Sequence, residues 1–233
     1  MNWYETAFHD EYLSLYFRRD DESAQAEAEF ASKAMGLGES SLLLDVACGA
    51  GRHARAFAGM GHRVVGVDLS AQLLARATGV TRVRGDMRAL PFAGGFDAAT
   101  CFFTSFGYFD HDDNRRALES MVATLRPRGV FLLDFLNATE VMAKLRPQST
   151  VERDGKTFDI RRCIEDGRVL KEVTVRENGR ERRYTESVRL YLHIDLVMLL
   201  KRAGLHVAAA YGDFDGSDYT TCSPRCILVA SKG

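Results

Sequence analysis

Residues Leu42 to His53 read Leu-Leu-Leu-Asp-Val-Ala-Cys-Gly-Ala-Gly-Arg-His. The apolar run is that of a buried strand. It breaks into a small turn punctuated by Gly49 and Gly51, and a helix starts at about Arg52. Glycines in such a turn let the backbone bend sharply and come close to a ligand. The N–H groups that open the helix lack intrahelical partners and suit an anionic group, a phosphate or a carboxylate. Nineteen residues past Gly49, a second apolar strand, Arg63 to Val67, ends in Asp68. A carboxylate there can accept hydrogen bonds from a ribose diol. Gly49-x-Gly51-x-x-Ala54 also fits the relaxed dinucleotide fingerprint, so the glycines alone leave the ligand open. Asp45 tilts the reading. It sits inside the first strand, three residues before Cys48. A dinucleotide site has no need of a carboxylate there, whereas a ligand with an amino group near the turn does.

Asp45-x-x-Cys48-Gly49-x-Gly51 resembles the signature of class I S-adenosylmethionine-dependent methyltransferases. The resemblance implies that the turn, with Asp45, Ala47, Cys48, Gly49 and Gly51, holds the methionine end of S-adenosylmethionine. It also implies that Asp68 and Leu69 meet the ribose. Further on, Thr81 to Arg84 is a short strand leading into Gly85-Asp86-Met87-Arg88. One reading is a plain turn with Asp86 as a cap. The other is adenine recognition, a carboxylate accepting from the exocyclic amine while the next backbone N–H donates to the ring. The stretch resembles the third cofactor motif of the methyltransferases, which assigns those roles to Asp86 and Met87. An NAD-dependent oxidoreductase would use the same glycine turn but leaves Asp45 and the Gly-Asp-Met stretch without a job. A regulatory protein that binds the cofactor without turnover is the alternative outside enzymology.

The fourth strand is expected over Phe96 to Phe103 and opens into Thr104-Ser105-Phe106-Gly107-Tyr108-Phe109. Ligands of open α/β sheets sit off the carboxyl ends of the central strands. Residues 104–109 should therefore line the substrate side near the methyl group, with Phe103 against the cofactor. The sulfonium methyl is already activated, so the protein's task is to align an oxygen or nitrogen lone pair behind it. A base is needed only if the acceptor stays protonated at neutral pH. Tyr108 and His111 are the candidates.

These residues are positioned by a regular alternation. Helices are expected over Ala24–Met35, Arg52–Met60, Ala71–Ala77, His111–Leu125 and Ile194–Ala203, with strands between them. Val130 to Phe135 reads as the fifth strand, and Leu-Arg-Pro-Arg-Gly-Val at 125–130 resembles the family's usual junction. His206 to Tyr211 and Cys226 to Ala230 are strands joined only by a loop, so they must pair antiparallel. The expected fold is α/β, a Rossmann-like seven-stranded methyltransferase sheet in the order 3-2-1-4-5-7-6. Residues 1–233 read as a single methyltransferase domain. Tyr4, Phe8, Tyr12 and Tyr16 recur at four-residue spacing on one helix face. That face either packs on the domain or, as N-terminal helices of the resembled family often do, makes residues 1–38 a lid whose tyrosines Tyr12 and Tyr16 cover the cofactor.

Residues 150–190 depart from this pattern. Asp154-Gly155, Asp166-Gly167 and Asn178-Gly179 are type I′ hairpin signals twelve residues apart, and apolar residues alternate between them. An inserted antiparallel β-meander is expected, its apolar face covered by the substrate crevice or by a second copy of the chain. Residues 152–189 hold nine Arg and two Lys against nine Asp and Glu, a balance that reads as a solvated face.

The chain has 233 residues and a net charge of -1, with no basic block of the kind that phosphate backbones attract. No nucleic-acid partner is expected. No apolar run approaches the ~20 residues needed to span a bilayer, so no membrane association is expected. Five cysteines, an odd number, and no recognisable leader favour a reducing cytoplasm. Cys222-x-x-x-Cys226 lacks a second ligand pair nearby, so no metal is expected. The expected partner is a small-molecule methyl acceptor, and the expected assembly a monomer or homodimer.

Overall fold

The structure is a computed structural model that describes residues 2–7, 14–16 and 21–233. In chain order its elements are α1 (Trp3–Thr6), α2 (Asp21–Met35), β1 (Leu42–Val46), α3 (Arg52–Gly59), β2 (Arg63–Asp68), α4 (Ala71–Leu74) and β3 (Thr81–Arg84). There follow β4 (Phe96–Cys101), α5 (His111–Thr124), β5 (Leu125–Leu136) and α6 (Ala138–Lys144). Four strands, β6 (Gln148–Arg153), β7 (Lys156–Glu165), β8 (Arg168–Glu177) and β9 (Arg180–Arg189), come before α7 (His193–Arg202), β10 (Leu205–Tyr211) and β11 (Arg225–Lys232).

The main sheet runs β10-β11-β5-β4-β1-β2-β3, the expected order, with β11 alone running antiparallel to the other strands. Its central strands are apolar along their whole length because both faces are covered. Leu43, Ala98, Leu132 and Ile227 pack on α2 and α3 through Ala28, Ala31, Ala54 and Phe57. Their neighbours Leu44, Ala99, Leu133 and Leu228 point the other way, onto Leu118, Met121, Leu196 and Leu200 of α5 and α7. The strand period of two thus sorts adjacent residues to opposite cores.

Three boundaries differ from the sequence-based expectation. β5 begins at Leu125, not Val130, with a register irregularity where it meets Phe96 and Ala98. α4 stops at Leu74. β4 ends at Cys101, because Phe103 and Thr104 both take left-handed backbone, at φ 54 and 59. Asp134 holds that unusual pair: its carboxylate accepts from the Phe103 N–H at 2.7 Å, and its carbonyl accepts from the Thr104 N–H at 3.0 Å. Left-handed backbone on bulky residues costs ~1–3 kcal/mol each and persists only where the surroundings over-determine it.

The second sheet, β6-β7-β8-β9, is the meander, with four strands. At each of its three turns both residues have positive φ, 49 and 72, 49 and 70, 49 and 75, as a two-residue I′ turn demands. Phe158, Ile160, Val173 and Val175 form its own buried cluster, against which Leu15 of the N-terminal segment packs. Cover for this part of the apolar face therefore includes that segment, which neither expectation had named. Of the aromatic row expected on one N-terminal helix, Phe8 and Tyr12 lie outside the described residues. The described first helix is a single turn that closes at Ala7.

Candidate active site

β1 delivers the chain into the turn at Ala47, itself left-handed at φ 56, and on through Gly49 and Gly51 at φ 56 and 77. A Cβ on Gly49 would meet only Leu73, at 3.7 Å, so this position opens toward a cleft. A Cβ on Gly51 would sit 2.8 Å from the Ala77 side chain. Gly51 thus serves the packing of the turn against the segment after α4, a role different from the ligand contact the resemblance implied. Cys48 also faces away, and a Cβ on Gly66 would fall 2.8 Å from its sulfur. Burial pushes the Cys48 thiol well above its ordinary range, so it stays protonated and unreactive.

Asp68 ends β2 and closes the turn. Its carboxylate accepts from the Gly49 N–H and from the Ser70 N–H, both at 2.8 Å. Burial raises its pKa, and the same backbone bonds oppose the shift. An ionised carboxylate has about four acceptor sites, so two remain for hydroxyl donors from the cleft. Asp45 lies under the turn, 1% exposed. One oxygen accepts from the Thr100 hydroxyl at 3.2 Å, and Oδ2 is buried without a hydrogen-bond partner. Burial pushes its pKa up to about 7. A buried, unsatisfied carboxylate oxygen calls for a donor or a positive charge, which the amino end of a bound ligand can supply.

A cleft opens at Gly49 and Asp68, with about 670 Å³ of empty space when the open solvent at its mouth is included, and Asp45 lies beneath it without lining it. Ala47, Gly49, Asp68, Leu69, Asp86 and Met87 line it, joined by Tyr4, Leu73, Ser105, Tyr108 and Phe109. Asp86 caps the short 3₁₀ turn Met87–Ala89 by accepting from the Arg88 N–H. Burial pushes the Asp86 carboxyl up, but the Arg88 guanidinium, 2.7 Å away, more than offsets it and holds the group below the usual carboxylate range. Arg88 also bridges to Asp113 at 2.7 Å and lies over the Phe109 ring at 4.4 Å. Sequence reasoning missed this clamp, since no local pattern ties Arg88 to a residue on α5.

A second cavity, of about 270 Å³, opens on the other side of Tyr108. The meander roofs it through Arg162, Val169, Lys171, Glu186 and Val188; the loop after β4 floors it through Phe103 and Thr104, and the main sheet through Leu136 and Arg225. Tyr108 lines both spaces. Trp3 packs edge-on against the Tyr108 ring at 4.8 Å, and Tyr4 packs edge-on against Phe109 at 5.0 Å, so the one turn of α1 reaches both.

The structure places three expected residues elsewhere. Tyr16 lines the second cavity and not the cofactor cleft: its hydroxyl donates to Glu186 at 2.8 Å and accepts from Lys171 at 2.6 Å. Phe103 lines the same cavity because its left-handed backbone turns it toward Phe214 and the Arg52 guanidinium. His111 lines neither space; its Nδ1 is 3.4 Å from the Tyr191 hydroxyl, at the start of α5. Tyr12 falls outside the described residues. Cys222 is exposed, while Cys226 is buried in β11 with its thiol pushed up to about 12 by burial. Among the described residues no three His, Cys, Asp or Glu are grouped to hold a metal. No described helix is long and apolar enough to cross a membrane.

A further contact joins the loop to the meander. Arg168, at the start of β8, donates to the carbonyl oxygens of Phe109, Tyr108 and Gly107 at 2.9, 2.8 and 3.3 Å, and to the Ser187 hydroxyl and carbonyl. The Arg189 N–H donates to the Gly107 carbonyl at 2.8 Å. The backbone that carries Tyr108 is therefore fixed by the meander.

Comparison with known proteins agrees with this geometry. Residues 43–129 match a family described as a methyltransferase domain. The chain is 37% identical over 101 residues to a dTDP-3-amino-3,6-dideoxy-alpha-D-glucopyranose N,N-dimethyltransferase of Streptomyces fradiae. That stretch is 41% of this chain and 40% of the relative, so the match spans less than half of the relative's length. A dTDP-3-amino-3,4,6-trideoxy-alpha-D-glucopyranose N,N-dimethyltransferase of Streptomyces venezuelae is 28% identical over 80% of this chain and 84% of its own. The S-adenosylmethionine-bound structure of CalS10, an amino pentose methyltransferase from Micromonospora echinaspora, shares the fold with a TM-score of 0.74, at 24% identity over 97% of this chain and 98% of its own. Residues 43–129 thus match a methyltransferase domain, and the glycine turn, the Asp68 closure and the sheet order around it give the chain the fold of the class I S-adenosylmethionine-dependent methyltransferases.

Proposed function

We propose that this protein transfers the methyl group of S-adenosylmethionine to the nitrogen of a small-molecule amine held under the meander. The observation that carries the reading is that Tyr108 lines both the cofactor cleft and the second cavity. A donor on one side and an acceptor on the other meet at that side chain. The cofactor supplies an already activated methyl, and the chain's task is then alignment and exclusion of water. Asp68 and Asp86 orient the ribose and adenine ends, and the unpaired Asp45 oxygen faces the demand of an amino group. The Tyr108 hydroxyl can accept a hydrogen bond from the amine and so turn its lone pair toward the methyl. An amine that arrives unprotonated needs no base from the protein. Trp3 and Tyr4 support the reading of the N-terminal segment as a lid over both spaces. The names of the Streptomyces relatives, both N,N-dimethyltransferases acting on amino sugars, favour nitrogen over oxygen.

The test is formation of S-adenosylhomocysteine from S-adenosylmethionine with a panel of small primary and secondary amines, each paired with its hydroxyl analogue. Turnover with amines is expected. Turnover only with the hydroxyl analogues would reassign the enzyme to oxygen. Tight cofactor binding with no turnover on any acceptor would favour a regulatory binding protein.

A further inference from the structure

Given the reading of the second cavity as the acceptor site, we propose that the acceptor carries an oxyanion, a carboxylate or a phosphate, held by the guanidinium of Arg162. Cross-strand register puts Arg162 opposite Lys171, and Lys171 opposite Glu186, in one row of the meander. Side chains of a strand alternate between faces, so this row shares its face with the rungs two residues away on either side. Those rungs are apolar, Ile164, Val169 and Val188 toward the hairpin end at residues 166–167, and Ile160, Val173 and Tyr184 beyond. A charged row set into such a face costs desolvation unless each charge is answered.

Of the three cations among the described residues that line the cavity, two are answered. Lys171 pairs with Glu186 at 3.0 Å. Arg225 donates from Nε to the buried carboxylate of Asp134 at 2.7 Å. Arg162 meets only neutral acceptors. Its Nη1 donates to the Ser149 hydroxyl at 2.9 Å and to the Arg146 carbonyl at 3.5 Å, and no carboxylate pairs with it among the described residues. Those bonds fix the guanidinium while Nε and Nη2, the fork that grips two oxygens of a carboxylate or phosphate, carry no bond among the described residues. Glu186, the one carboxylate among the described residues that line the cavity, is taken by Lys171 and Tyr16. Among the described residues the cavity thus presents one unneutralised guanidinium in its roof and Tyr108 at the cofactor side. An acceptor with an anion at one end and its amine at the other fits both.

Trp3 lines this cavity and is the single tryptophan of the chain, so its fluorescence reports on the cavity. The experiment titrates the S-adenosylhomocysteine-loaded protein with inorganic phosphate and, separately, with acetate, at constant ionic strength set by chloride. It is run on the native protein, on Arg162→Gln and Arg162→Lys, and on Arg180→Gln, an exposed arginine outside this cavity, as the control. A saturable response is expected in the native protein and in the control. It should be at least about tenfold weaker in Arg162→Gln and intermediate in Arg162→Lys. The probe that binds more tightly names the source, phosphate ester or carboxylate. Equal affinity in Arg162→Gln and native protein would overturn the proposal. So would a native protein that shows no saturable response to either probe up to about 100 mM, an affinity too weak to select an acceptor. If S-adenosylhomocysteine itself does not bind, the methyltransferase reading fails separately, and the same titrations on the free protein still decide the role of Arg162.

Discussion

Asp68 does two jobs at once. It holds Gly49 and Ser70 in the free protein, and in the account above it also receives the ribose. Two hydrogen bonds to a charged carboxylate contribute roughly 2 to 4 kcal/mol, so Asp68→Ala should weaken S-adenosylhomocysteine binding by roughly 30- to 1000-fold in calorimetry. Because the backbone bonds go too, its melting temperature should fall even without cofactor; Asp68→Asn, which keeps one acceptor, should melt higher than Asp68→Ala. Asp45 gives a pH signature. Its folded pKa, about 7, lies above the ~3.9 of an unfolded aspartate. The folded state therefore binds the extra proton between those values. This part of the stability is fully present below about pH 4 and is lost as pH rises through 7. Asp68 is shifted the same way and adds to the slope. Asp45→Asn should flatten the decline of the cofactor-free melting temperature between about pH 5 and 8 and raise it at the upper end; an unchanged slope would remove Asp45 as its source. Both aspartates were legible in the sequence because strand ends and glycine turns are local patterns. Arg88, Arg162 and Arg168 were not. In a segment with nine arginines, nothing local says which one meets a carboxylate, a carbonyl or an empty cavity.

At the level of elements, the meander and the loop after β4 act as one unit through Arg168. Arg168→Met keeps the apolar stem and removes the bonds to the Gly107, Tyr108 and Phe109 carbonyls. With Tyr108 less fixed, methyl transfer should drop at least about tenfold in kcat, while S-adenosylhomocysteine affinity stays within about threefold. An unchanged kcat would show that the loop holds its shape without the meander. The meander's turns could be read in advance because a two-residue I′ turn is encoded by two adjacent residues. The early end of β4 could not. Phe103 and Thr104 are left-handed because Asp134, far along the chain, binds their N–H groups. The same holds for the N-terminal segment: spacing placed aromatics on one face, but only the tertiary structure puts Trp3 against Tyr108 and Tyr16 against the meander.

For the whole molecule, the sheet order could be inferred before the structure because its rules are few: parallel strands need crossovers, and two strands joined by a loop pair antiparallel. What faces the meander could not, since an apolar face specifies that it is covered and not by what. Replacing residues 150–187 with a short Gly-Ser linker should leave cofactor affinity within about tenfold and abolish methyl transfer. A folded variant that still methylates at the native rate would remove the meander from the active site. Light scattering on the same variant reads its share in any assembly, and an unchanged number of chains per particle would exclude it from an interface. All of this depends on the glycine turn, Asp68 and Asp86 forming a site for S-adenosylmethionine. Calorimetry of the native protein with S-adenosylhomocysteine and, in parallel, with NAD tests that most directly. Saturable binding of S-adenosylhomocysteine in the micromolar range, with no heat from NAD, is the expected result. Tight NAD binding with no S-adenosylhomocysteine binding would contradict it.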